Sequence, residues 1–169
     1  MSVAVSIRKM RGADKRRLMD MLRQTPQFKP GEVVVAEEVI DSYLREGQQS
    51  GYSILVADDE SGLTGYICYG PTPLTEQTWD IYWEVVALER QGRGIGGALI
   101  NAAEEEIRRA SGRLILIETS STPSYEKTRR FYESHGYRVI SSVPDFYTPG
   151  DDRLIFSKKL VKEAGQITT

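Results

Sequence analysis

An apolar run from about Ile81 to Leu88 passes through a short charged elbow, Glu89-Arg90-Gln91, and meets four glycines within six residues, Gly92 to Gly97. A helical pattern then sets in from Gly97, with Leu99, Ala102, Ala103, Ile107 and Ala110 on one face. Strand, glycine-rich loop and helix in that order leave few folds open. Glycine accepts backbone angles that a Cβ forbids, so successive N–H groups can turn inward around an anion. The helix that follows adds its unpaired N–H groups and the positive end of its dipole. The stretch therefore predicts a diphosphate seat built from the backbone of Gly92, Arg93, Gly94, Ile95, Gly96 and Gly97.

Two familiar phosphate motifs fit it poorly. Gly92-x-Gly94-x-x-Gly97 has the form of the dinucleotide fingerprint, and Glu118 stands about where its ribose-binding acid belongs. Three polar residues, however, separate the strand from the first glycine, and the chain beyond Gly97 is too short for the further βα units that fold requires. The P-loop pattern fails because no Gly-Lys-Ser/Thr follows.

The rest of the chain reads as one domain. Val3–Ile7 alternates as a first strand, and Asp14 offers an N-cap for a helix carrying Leu18, Met19, Met21 and Leu22. Residues 31–47 carry both a Val33-Val34-Val35 strand signal and a helical spacing of Ala36, Val39, Ile40, Tyr43 and Leu44; the spacing and Gly47 favour helix. The loop from Thr25 to Gly31, with Phe28, is either a connector or a substrate cover. Tyr52–Ala57 and Thr64–Gly70 flank a turn and predict a hairpin. Leu114-Ile115-Leu116-Ile117 is a continuous apolar strand, expected to be buried on both faces and parallel to the strand before the glycines. Thr122-Pro123 opens a helix with Tyr125, Thr128, Tyr132 and His135 on one side. Two strands, Tyr137–Val143 and Arg153–Leu160, flank a long loop over residues 144–151.

Charge and composition exclude several classes. With 24 acidic against 22 basic residues the net charge is −2, which gives no basis for nucleic-acid or membrane binding. The only cysteine, Cys68, rules out an internal disulfide and reads as a buried thiol. A single histidine and the absence of zinc-type spacing predict no metal site. No apolar run approaches the ~20 residues of a membrane span, and no signal peptide is visible, so the expected location is cytoplasmic. The pairs Glu104/Arg108 and Glu105/Arg109 read as a solvated helix face.

One family brings these blocks together. Gln91-x-x-Gly94-x-Gly96 resembles the acyl-CoA-binding signature of the GNAT superfamily of N-acyltransferases. Val85-Val86 and the later Phe131-Tyr132-Glu133-Ser134-His135-Gly136-Tyr137 fall where that family has its pantetheine strand and its tyrosine-bearing helix. The resemblance implies an α/β (α+β) domain over residues 1–160 followed by a polar, frayed tail over 161–169. Its sheet would be mixed, mostly antiparallel, twisted and of about seven strands, with a central parallel pair and helices on both faces.

The resemblance also implies acetyl transfer from acetyl-CoA (coenzyme A as co-substrate) to a primary amine, directly in a ternary complex. Gln91 and Arg93 would join the loop backbone on the diphosphate, and the Val86 N–H would serve the developing oxyanion. Tyr132 would protonate the departing thiolate, its reference pKa of about 10 lying near a thiol's. For the base, Glu118 and Glu84 both stand open, as does transfer without a base. Where many relatives have an asparagine, this chain has Ser120-Ser121-Thr122-Pro123-Ser124, so a hydroxyl would replace that amide. The acceptor, a small-molecule amine or a peptide N-terminus, would meet Tyr82, Glu84 and the loops at 25–31 and 144–151, with Asp145, Asp151 and Glu84 either favouring a cation or standing as ordinary surface acids. A homodimer is left open. A non-catalytic acyl-CoA-binding regulator and a dinucleotide binder are the alternatives.

Overall fold

A computed structural model describes residues 4–160. Among them are seven strands: β1 (Ser6–Lys9), β2 (Ser53–Asp59), β3 (Gly62–Pro71), β4 (Thr78–Val86), β5 (Leu114–Ser120), β6 (Arg138–Thr148) and β7 (Asp151–Lys159). Four α-helices accompany them: α1 (Lys15–Gln24), α2 (Pro30–Glu46), α3 (Ile95–Arg109) and α4 (Glu126–Ser134). The strands form one mixed sheet in the order β1-β2-β3-β4-β5-β7-β6, with β4 and β5 as the parallel pair. The expected fold class is thus the observed one. The chain divides into two compact units, Met1–Gly70 with Ile81–Glu104, and Pro71–Asp80 with Glu105–Thr169.

In the first unit β1, β2 and β3 pair antiparallel, Arg8 facing Val56 and Val56 facing Tyr66. The first strand begins at Ser6; Val3, where it was expected to start, lies outside the described residues, as does the tail over 161–169. Alternation sends Ile54 and Val56 of β2 and Tyr66 and Cys68 of β3 to one face, where they pack with Leu18, Leu22, Ala36 and Ile40 of α1 and α2. Cys68 is wholly buried, and burial pushes its thiol well up. Residues 30–46 are helical: Val34 and Val35 stand exposed, so the valine run supplies only Val33 to the core. Phe28 packs on the same core, which ties down the α1–α2 connection.

Asp14 does not cap α1 with its side chain. Its carboxylate accepts the Arg11 N–H at 2.7 Å and both guanidinium nitrogens of Arg8 at 2.8 and 2.9 Å. A bidentate arginine outcompetes a helix amide for the same oxygens.

In the second unit β5 pairs with β7 and β7 with β6, all antiparallel. Burial on β5 alternates, Ile115 and Ile117 being buried while Leu114 and Leu116 are half-buried, so the expected burial on both faces is not found. The α3 C-terminus closes through Ser111 at positive φ: Ser111 N–H bonds to Arg108 O and Gly112 N–H to Ile107 O, a Schellman arrangement. Glu105 takes both Arg108 and Arg109, at 3.7 and 3.1 Å. Glu104, expected on the solvated face, is only 2% exposed.

The long loop expected over 144–151 is absent. The strands continue to Thr148 and resume at Asp151, so the connection is Pro149-Gly150 alone. A sheet-edge strand has no ladder partner for the missing Pro144 N–H, and a register shift between Val143 and Thr148 absorbs Asp145 at positive φ.

Candidate functional site

β4 ends at Val86 and a short 3₁₀ turn, Leu88–Arg90, carries the elbow. Gly92 and Gly94 then take positive φ, +75° and +81°, and a Cβ at either would meet nothing within 4 Å. Their glycine requirement is therefore conformational, and the space above them is open. The helix begins at Ile95 and not, as expected, at Gly97. Ile95 and Leu99, one turn apart, are both buried and draw the helix start forward, so Gly96 and Gly97 sit in its first turn. The Ala98 N–H bonds to Gly94 O at 3.0 Å. The amides of residues 95–97 precede it, at positions where a helix offers N–H groups with no carbonyl below them. Arg93 is exposed beside them. Such a backbone is suited to holding an anion.

Gln91 is exposed, and its Nε2 donates to the Val86 carbonyl at 3.3 Å. Val85 is buried in the core, and Val86 is half-buried. The Ala87 N–H is spent on Thr64 O at 2.8 Å.

The elbow itself is clamped, which no local pattern in the sequence indicated. Arg90 reaches Asp59 at the β2–β3 turn, its Nη2 lying 3.3 Å from Oδ1 and 3.2 Å from Oδ2. The Asp59 side chain is 0% exposed and that of Arg90 15%. Asp59 Oδ1 also accepts the Ser61 hydroxyl at 2.6 Å and the Ser61 N–H at 2.7 Å. The Ser61 hydroxyl, with Arg90 and Arg93 adding to it, holds the Asp59 carboxyl below the usual range against desolvation. Beside it, Arg17 of α1 donates to Glu89 at 3.1 Å and to the Leu63 carbonyl at 3.3 Å.

Glu84 lies in β4 two residues before Val86. The residue is half-buried, yet its Oε2 is closed off and lacks a hydrogen-bond partner. Burial raises its pKa well above the ordinary carboxylate value. Tyr82 is exposed, its ring meeting Tyr52 edge-on at 5.5 Å, while Trp83 Nε1 donates to the Tyr66 hydroxyl at 2.7 Å.

Tyr132 and Glu118 belong to the second unit. Tyr132 is 6% exposed on α4, its ring against Phe156 at 5.9 Å, Tyr137 at 6.1 Å and Phe131 at 5.7 Å. Of the neighbouring rings Tyr132 is the buried one; Phe131 is half-buried and meets His135 at 4.4 Å. Glu118 faces Ile155 in the β5–β7 ladder and is ion-paired to Arg153 at 3.6 Å, with its side chain 51% exposed. Ile117 pairs with Phe156, whose ring Tyr132 touches, so Glu118, the next residue along β5, points to the opposite face from Tyr132. These two predicted residues are not brought together.

Two of the three carboxylates named for a cationic acceptor, Asp145 and Asp151, take up hydrogen bonds near the β6–β7 turn. Asp145 accepts the Gly150 N–H at 2.7 Å, and Asp151 accepts the Ser120 hydroxyl at 2.5 Å. Ser120 also bonds Thr122, so the hydroxyls of 120–124 form a local network. Among the described residues no group of three or more His, Cys, Asp or Glu could hold a metal ion, and no helix is long and apolar enough to cross a membrane.

The model of the acetyltransferase (GNAT) domain matches residues 50–139, which run from β2 through the glycine loop to β6. A GNAT-family protein from Desulfovibrio desulfuricans is 38% identical over 94% of this chain and 100% of its own, with a TM-score of 0.90. An aminoglycoside 6′-N-acetyltransferase complexed with coenzyme A shares the fold at 21% identity and a TM-score of 0.75, covering 94% of this chain and 98% of that one. So does a ribosomal-protein-alanine N-acetyltransferase from Brucella melitensis, at 20% identity and 0.72, covering 92% and 99%. Comparison with curated proteins gives no match.

Proposed function

Because this chain belongs to the GNAT acetyltransferase family, we propose that it moves an acetyl, or another short acyl, group from acetyl-CoA to a primary amine in a ternary complex. One observation carries the reading: β4 opens into a loop whose positive-φ glycines lead straight into the amides of a helix start. The backbone of Gly92 to Gly97 and the Arg93 guanidinium would bind the cofactor's diphosphate. Val85 and Val86 would line the pantetheine arm, and the Val86 N–H would donate to the developing oxyanion.

Glu84 is the preferred base. Its closed, unpartnered oxygen and raised pKa suit a group that takes up a proton, whereas Glu118 is exposed and held by Arg153. Tyr132 would return a proton to the departing thiolate, so that the C–N bond forms as the C–S bond breaks and no covalent enzyme intermediate is needed. The acceptor is a small-molecule amine or a peptide N-terminus; proteins of this fold are named for an aminoglycoside and for a ribosomal-protein alanine. A panel of amines with acetyl-CoA, read by free thiol release, tests the proposal. Turnover on at least one amine is expected; tight CoA binding with turnover on none would replace the enzyme by an acyl-CoA-binding regulator.

A further inference from the structure

We infer that Asp59 and Arg90 act as a positioning clamp that sets the backbone of the Gly92–Gly97 loop for the phosphates. This rests on the reading of that loop as the diphosphate seat. Arg90 stands two residues before Gly92, and its side chain is fixed on a turn of the neighbouring hairpin. That turn is itself rigid, since Ser61 supplies both a hydroxyl and an N–H to the same Asp59 oxygen. The Asp59 side chain is closed off and that of Arg90 nearly so. The adjoining Arg17–Glu89 pair is more exposed, 39% and 60%, and carries less weight. The Arg90 N–H is bonded to Ala87 O at 2.8 Å, so backbone and side chain of the elbow are both tied. Arg90 is thus committed to a carboxylate, and its part in phosphate binding is indirect.

Charge and position give opposite signs, which makes the clamp testable. Arg93 is a positive charge close enough to be felt by Asp59, so the Asp59 carboxylate lies in the field of the loop. By Coulomb's law alone, neutralising Asp59 should tighten an anion on the loop. Loosening the elbow should weaken it.

The experiment titrates CoA, and pantetheine as a ligand without phosphates, against wild type, Asp59→Asn, Arg90→Gln and the double variant. The expected result is a CoA Kd raised about tenfold in each single variant, no further loss in the double, and an unchanged pantetheine Kd. A CoA Kd that is unchanged or lower in Asp59→Asn overturns the clamp. So does an equal loss for both ligands, which a device acting on phosphates cannot produce. Additive losses in the double variant overturn it as well, by making Arg90 a direct phosphate ligand. A wild type that fails to bind CoA removes the diphosphate reading itself, and the clamp with it.

Discussion

A side chain at Gly65 would stand 2.9 Å from the carbonyl oxygen of Val85, so β3 and β4 approach there with no room for a Cβ. The same position would meet Leu99 at 3.1 Å and Ile95 at 3.4 Å, the residues that seat the start of α3. Gly65→Ala is therefore an overpacking substitution against backbone, which cannot yield as a flexible side chain can. It should cost about 1–3 kcal/mol, read as a lower denaturant midpoint with an unchanged slope. A wild-type midpoint would mean that the β3 backbone relaxes freely at this point.

The strand–loop–helix unit was legible because each part has its own local signal: a β-branched run, glycines, a helical period. The helix start was misplaced because Gly96-Gly97 has loop propensity, and only the burial of Ile95 and Leu99 overrides it. Pro144 and Asp145 read as a loop for the same kind of reason, while an edge strand with a register shift tolerates both. The clamps on the elbow join residues 31 and 72 positions apart, and no periodicity or motif records such pairs. The acids at the hairpin tip looked available because composition shows charges and not the N–H and O–H groups that occupy them.

Glu84→Gln should raise stability at alkaline pH and lower activity. A carboxyl whose folded pKa is raised contributes its full stability below the unfolded value of about 4.3 and loses it as pH rises through the folded value. The wild type should therefore lose stability as pH rises above the unfolded value, and the glutamine variant should not. The variant's Tm is expected to be higher by about 2–4 °C at pH 8 and equal at pH 4. As the proposed base, the same change should lower kcat/KM by about 10²–10⁴-fold, while Glu118→Gln stays within about threefold. Equal activity losses in the two variants would withdraw the preference for Glu84.

Tyr132→Phe separates the phenol from the ring. The aromatic contacts with Phe156 and Tyr137 need only the ring and are kept in the variant. Loss of the proton donor should slow kcat about 10²-fold or more with the CoA Kd unmoved. A variant with wild-type kcat would reduce Tyr132 to a packing residue.

Gly94→Ala and Gly31→Ala place the same methyl in equally open space, since neither Cβ would meet an atom within 4 Å. They differ in backbone. Gly31 lies in the first turn of α2 without positive φ, whereas Gly94 holds +81°. Alanine at 31 should stabilise by about 0.5–1 kcal/mol, through the entropy that glycine loses in a helix. Alanine at 94 should cost about 1–2 kcal/mol, the penalty of a left-handed conformation for an L-residue. Relief of that penalty by rotation at Gly94 would turn the carbonyl that receives the Ala98 N–H and re-aim the amides of residues 95–97 with it. The CoA Kd should therefore rise at least about tenfold in Gly94→Ala and stay unchanged in Gly31→Ala, as paired titrations would read. If the two variants bind alike, the left-handed turn is not what orients those amides.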